Sequence, residues 1–363
     1  MRIAFFGSSL VSAYWNGAAT YYRGLLKALA DRGHRITFYE PDAFERQAHR
    51  DIDDPPWARV VVYPARVDAA RRALADAADA DVVVKASGVG VFDDLLEAEV
   101  LQLRGPGRTV VFWDVDAPAT LERAVADPDH PFRPLISGYD LVLTYGGGDA
   151  VVDAYGRLGA RACVPIYNAL DRTTHHPVRP MAALAADLAF IGNRLPDRET
   201  RVREFFLEPA RHLPEMSFLL AGSGWTGLDV PGNVRAIGHA YTSEHNAINA
   251  SARAVLNVNR DGMARFGFSP PTRIFEAAGA GACLITDRWA GIEMFLEPET
   301  EVLVAGDGAE VVRHLRELTR ERARRIGEAA RQRILRDHTY AARALQVEAV
   351  LAAPPVPSME AAE

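Results

Sequence analysis

Residues 269–287 gather the groups best suited to chemistry: Ser269, Pro270, Pro271, Thr272, Arg273 and Glu276, then Gly279, Gly281 and Asp287. Ser269 ahead of two prolines predicts a helix N-cap with proline in the first turn. Ile274, Phe275, Ala277 and Ala278 give that helix a buried face, and Gly279 and Gly281 stop it before an apolar strand at 282–286. The N–H groups of a helix N-terminus attract phosphate. Glu276 lies about seven residues along, roughly 10 Å of helix rise, and its side chain leans back toward the cap. An anion at the cap and a carboxylate one sugar away make a layout for a nucleoside diphosphate, held by its phosphates and ribose hydroxyls.

Other polar groups fall where strands end. Ile191-Gly192-Asn193-Arg194 closes a strand, so Gly192 lets backbone approach a ligand and Arg194 is placed to fork onto phosphate. Gly222, Gly238 and His239 end two further strands, where glycine serves either a tight turn or close approach to a nucleobase. Asn257-x-Asn259-Arg260 and Arg265 precede the capped helix. In the first half, Gly7, Ser8, Asn16 and Gly17 follow the first strand, and Tyr145 and Gly146 follow a later one. Only Gly7 of a Gly-x-Gly-x-x-Gly fingerprint is present, so Glu40 at the end of the second strand carries little weight as the ribose acid of a dinucleotide site. Asp114 and Asp116 either act on an acceptor hydroxyl, as base or orienting group, or cap a helix with Pro118 in its first turn. Too few oxygen ligands accompany them for Mg²⁺. His175-His176 has no partner at metal-ligand spacing and reads as a solvated pair, so no metal and no cofactor is expected.

These groups need a scaffold. Short β-rich runs alternate with amphipathic helices, which predicts α/β architecture: two Rossmann-like parallel-sheet domains facing a cleft. Strands are expected at 2–6, 35–39, 59–63, 81–85, 109–113, 140–144 and 161–166, then at 187–191, 216–221, 234–237, 254–258, 282–286 and 301–304. The expected domains are a first Rossmann-like domain at 1–170, a linker at 171–186 and a second Rossmann-like domain at 187–338. A crossing helix at 339–352 and a disordered tail at 353–363 follow. The 363 residues, 48% hydrophobic and 25% charged, describe an ordinary globular chain, and a net charge of −7 excludes broad nucleic-acid binding. Cys163 and Cys283 read as buried free thiols in a reducing compartment. No apolar run suits a membrane span or a signal peptide, which points to the cytoplasm and leaves peripheral membrane contact open.

Thr272-Arg273-Ile274-Phe275-Glu276 running to Gly281 and Asp287 resembles the signature of CgeB-like glycosyltransferases, relatives of spore-maturation proteins in the GT-B superfamily. Weaker pieces follow in order along most of the chain: Trp15-Asn16-Gly17, Arg32-Gly33-His34, Glu40, Asp114-x-Asp116-x-Pro118 and Tyr145-Gly146-Gly147-Gly148. Ile191-Gly192, Asn257-x-Asn259-Arg260 and Asp337-His338-Thr339-Tyr340 complete the series. The resemblance implies a nucleoside-diphosphate sugar as donor on the second domain and an unknown acceptor on the first, which makes 1–170 the acceptor domain and 187–338 the nucleotide-sugar domain. Glu276 matches the second glutamate of the superfamily's Glu-x₇-Glu motif, which holds the ribose. The chain has Phe268 in place of the first glutamate, which leaves the stereochemical outcome open. Three rivals remain: a catalytically idle nucleotide-sugar-binding protein, a sugar-nucleotide epimerase or hydrolase of the same fold, and an NAD-dependent oxidoreductase.

Overall fold

Near-continuous runs of Val, Ile, Leu and Phe can satisfy themselves only in strands covered on both faces, and they form two parallel sheets here. The computed structural model describes residues 1–225 and 227–353. The expected tail, apart from residue 353, lies outside the described residues. The chain divides into two units, Met1–Tyr167 with the residues from Tyr340 onward, and Asn168–Thr339.

The first unit holds β1 (Arg2–Phe6), β2 (Arg35–Asp42), β3 (Ala58–Pro64), β4 (Val82–Ala86), β5 (Thr109–Asp114), β6 (Leu141–Thr144) and β7 (Cys163–Pro165), in the order β3-β2-β1-β4-β5-β6-β7. The second holds β8 (Ala186–Ile191), β9 (Phe218–Ala221), β10 (Val234–Gly238), β11 (Ala252–Asn257), β12 (Leu284–Asp287) and β13 (Leu303–Ala305), in the order β10-β9-β8-β11-β12-β13. Each strand matches a hydrophobic run expected from the sequence, with edges moved by at most three residues. In each sheet the order reverses beside the first strand, between β1 and β4 and between β8 and β11. Ligands of open α/β sheets bind at such switch points, outside the carboxyl ends of the strands. Gly7 and Ser8 therefore flank one crevice, and Gly192 and Asn259 flank the other.

Phe190, Phe206, Leu220, Leu256 and Ile285 are buried together in the second unit and fix its strand ends. The segment after β8 is α-helical at Pro196–Val202 and Glu208–His212, with a wider π turn at Arg203–Leu207 between them. Pro209 lacks the N–H that an unbroken α-helix would use there, and the wider turn absorbs the defect. The helix Tyr340–Ala352 packs on Ala19–Asp31 of the first unit, where the Tyr340 ring fills the space a Cβ at Gly24 would need. Its Glu348 carboxylate receives Arg32 at 2.6 Å and His34 at 2.8 Å. Both cysteines are free thiols; Cys283 is buried, whereas Cys163 is only partly so.

Candidate functional site

At the carboxyl end of β8, Gly192 is hemmed in by two cations. A Cβ there would lie 2.9 Å from Arg198 Nη2 and 3.2 Å from Arg273 Nη2. Both guanidinium groups stack on Phe190, at 5.5 and 5.4 Å from its ring centroid. Phe190 thus holds two positive groups beside bare backbone, as an anion site requires. Burial pushes the Arg273 guanidinium's pKa down, opposed by the charge of Glu276. Arg194, the arginine singled out by sequence, is engaged elsewhere: it forks onto Glu199 at 2.6 and 2.9 Å. Glu199 takes Arg203 as well, and the two cations hold its carboxyl at about 2.

Arg198 stands on the helix Pro196–Val202, which Arg201 anchors through Asp287 Oδ2 at 2.6 Å. Asp287 is fully buried and also accepts the Asn259 N–H at 3.2 Å, joining the loops that follow β11 and β12. Burial pushes its carboxyl pKa up, against the pull of Arg201. Gly222 has φ +135°, and a Cβ there would strike the Gly192 carbonyl oxygen at 2.2 Å, so only glycine fits. Its N–H donates to the Gly238 carbonyl at 2.6 Å, which ties the ends of β9 and β10 beside β8. His239 and Tyr241 follow on the exposed side, their rings edge to face at 4.6 Å.

The helix bearing Arg273 and Glu276 is Thr272–Gly279, and its N-cap residue is Pro271, not Ser269. A residue before proline is driven out of the α region, so Ser269 and Pro270 both stay extended and the helix starts later. Ser269 is 3% exposed, and its Oγ is buried without a hydrogen-bond partner. Phe268 adopts φ +45° and lays its ring over Gly291, which bends the loop into the helix.

His175 corrects another expectation, for it is 2% exposed and not a solvated loop residue; His176 is exposed. Leu170 packs where a Cβ at Gly279 would fall, which draws its segment onto the helix of Glu276. Asn246 receives the His176 N–H at 3.3 Å and donates to the Thr174 carbonyl at 2.8 Å. One nitrogen of His175, one of His245 and one carboxylate oxygen of Glu276 consequently lie within 4.8 Å of one another. Burial, the largest influence, lowers the His245 pKa.

In the first unit Asp114 is fully buried, and its carboxylate accepts four donors. These are Ser87 Oγ at 2.7 Å, the Asp116 N–H at 3.0 Å, Thr120 Oγ1 at 3.0 Å and Tyr155 OH at 2.5 Å. Asp116 occupies the N-cap position of Ala117–Ala126 without a side-chain capping bond, and Pro118 lies in the first turn. Ser8 Oγ donates to Asn16 Oδ1, whose amide donates to the Ser9 and Ser12 carbonyls and staples the loop that ends at exposed Gly17. Gly7 lies against the Phe38 ring. Glu40 is fully buried on Ser9 Oγ, the Leu10 N–H and Gln47, so its carboxylate is committed to the loop. Tyr145 and Gly146 follow β6, and in the second unit Arg260 occupies the N-cap position of Asp261–Phe266 without a side-chain capping bond.

Residues 198–349 match the family model described as glycosyl transferase-like. No curated protein matches the chain. Among solved structures, HepE from Anabaena in complex with UDP and glucose aligns with TM-score 0.69 and 14% identity, over 97% of this chain and 99% of that chain. Sucrose-phosphate synthase from Thermosynechococcus elongatus aligns with TM-score 0.68 and 14% identity, over 97% and 98%. An alpha-glucosyltransferase in complex with UDP and a 13-mer DNA containing an HMU base aligns with TM-score 0.69 and 12% identity, over 97% and 99%. The fold is GT-B.

In this GT-B fold the second unit brings Arg273 to Gly192 at the end of β8, and Ser269, Thr272 and Glu276 lie along the segment and helix that carry Arg273. Arg198 joins them and was missed from sequence; the signal was its place six residues after Gly192, one turn into a helix that opens at a switch point. No helix among the described residues is long and apolar enough to cross a membrane.

Proposed function

We propose that this chain is a glycosyltransferase that moves a sugar from a nucleoside-diphosphate donor to a hydroxyl or amine acceptor without a required metal. The supporting observation is the pair of guanidinium groups, Arg198 and Arg273, held on Phe190 beside Gly192, with the buried, unpartnered Ser269 hydroxyl four residues before Arg273 in the chain. A leaving diphosphate carries concentrated negative charge, and two cations with a helix N-terminus stabilise it in place of a metal ion. Glu276 takes the ribose hydroxyls, and Gly222, Gly238 and His239 line the nucleobase end. Arg194 acts through Glu199 by holding the loop.

In the first unit Asp116 orients or deprotonates the acceptor, with Gly7, Ser8, Asn16, Gly17, Tyr145 and Gly146 as further acceptor residues; Arg260, on the second unit, is assigned to the acceptor as well. Asp114, sealed among four donors, positions the Asp116 backbone. The ordered motif pieces around Thr272–Glu276 support placing the chain beside the CgeB-like branch. Phe268 favours a second reading, donor binding without transfer, because an aromatic ring cannot do a carboxylate's work beside the sugar.

Thermal stability scanned with UDP, GDP, dTDP, ADP, CDP and NADH, each with and without Mg²⁺, tests the proposal. A ligand at 100 times its Kd stabilises by about 2.7 kcal/mol. One diphosphate standing out regardless of Mg²⁺ is expected; stabilisation by NADH alone overturns the proposal. Asp116→Asn is expected to keep diphosphate binding and lose roughly 10²–10⁴ in turnover. Wild-type turnover in that variant removes Asp116 from the chemistry.

A further inference from the structure

Three segments distant in sequence converge on one point. His175 comes from the stretch drawn onto the helix Thr272–Gly279, His245 from the helix Thr242–Ser251, and Glu276 from Thr272–Gly279 itself. His175 has one nitrogen tied down. The Thr174 hydroxyl donates to the Asp171 carbonyl at 3.2 Å, so at 3.0 Å it accepts the proton on His175 Nδ1. That tautomer leaves a lone pair on His175 Nε2, which is buried and has no partner. The Glu276 carboxylate makes no hydrogen bond or ion pair among the described residues. A fixed second nitrogen and an open first one characterise metal-ligating imidazoles.

We propose that His175, His245 and Glu276 form a site for a divalent transition metal of the zinc class, and that metal and donor ribose compete for Glu276. The competition rests on the ribose role proposed above; the metal site itself does not. Two imidazoles and one carboxylate suit Zn²⁺ or Co²⁺, whereas Mg²⁺ and Ca²⁺ demand oxygen ligands. Zinc bonds of 2.0–2.2 Å in tetrahedral geometry set ligands roughly 3.3 Å apart, so small side-chain rotations close the observed 4.8 Å limit. Three protein ligands leave a fourth position for water. Occupancy by zinc would turn donor binding off while the transfer chemistry itself stays metal-free.

The test titrates Co²⁺ and Zn²⁺ into the full chain, reading the visible tetrahedral Co²⁺ bands and calorimetric stoichiometry, with the stabilising diphosphate titrated in parallel. One equivalent should bind, and His245→Ala and Glu276→Gln should each weaken it at least tenfold. His176→Ala, which alters only the exposed neighbour, should leave it unchanged. Zn²⁺ should raise the apparent Kd of the diphosphate in proportion to its own saturation. No saturable site in wild type, or wild-type affinity in His245→Ala, overturns the metal site. If Glu276→Gln loses the diphosphate while wild type binds no metal, the ribose reading stands alone. If it keeps the diphosphate while wild type binds one metal, the site stands and the competition falls.

Discussion

Arg273→Met separates anion binding from folding. The Arg273 guanidinium stacks on Phe190 at 5.4 Å and makes no hydrogen bond or ion pair among the described residues. Its burial disfavours the charge, as the lowered pKa records. Methionine keeps the stem's apolar contacts and removes the desolvated cation. The folded state loses about 0.5–1 kcal/mol of cation–π attraction and regains some of the desolvation cost, so stability should stay within about 1 kcal/mol of wild type. Diphosphate binding loses at least one charge-assisted hydrogen bond, about 1.5–3 kcal/mol, which is roughly a 10- to 150-fold rise in Kd. Isothermal titration with the stabilising diphosphate and urea unfolding of both proteins give the two numbers. Affinity within twofold of wild type, together with a stability loss above about 2 kcal/mol, would show that Arg273 serves the core and would refute the reasoning.

Two further outcomes follow from the first unit. Tyr155→Phe removes the 2.5 Å donor to Asp114 and should cost about 1.5–3 kcal/mol in urea unfolding; no loss would mean that the buried carboxylate does not depend on it. Glu348, held at about 2 by Arg32 and His34, stabilises the fold fully above its unfolded value near 4.5, and that contribution is lost as pH falls toward 2. Stability of Glu348→Gln should therefore converge with wild type between pH 4.5 and 2, and a constant gap across that window would count against the linkage.

The strands were legible because parallel sheets demand apolar runs, and Val82–Ala86 or Phe218–Ala221 show that demand without tertiary help. The block 272–276 was legible for the same local reason, since its spacing follows from one helix. Ser269 was misjudged as a cap because the two prolines constrain the residues before them more than they favour a helical first turn. Arg198 was hidden among many arginines, and only its stacking on Phe190 distinguishes it from Arg194. His175 and His245 are 70 residues apart, so no spacing rule could pair them; Leu170 against Gly279 and Asn246 against Thr174 do so in three dimensions. Asp114 carries the residue type of a catalytic acid, yet two of its four donors, Ser87 and Tyr155, come from segments that sequence does not reveal as neighbours.

The central claim is that Glu276 holds the ribose of a nucleoside diphosphate. The direct measurement is a calorimetric cycle comparing the stabilising diphosphate with its 2′,3′-dideoxy analogue, in wild type and in Glu276→Gln. Loss of the ribose hydroxyls should weaken wild-type binding at least about tenfold, the low end for a charge-assisted bond, and should weaken Glu276→Gln far less. Equal losses in both proteins would contradict the claim, because the hydroxyls would then be read by some other group.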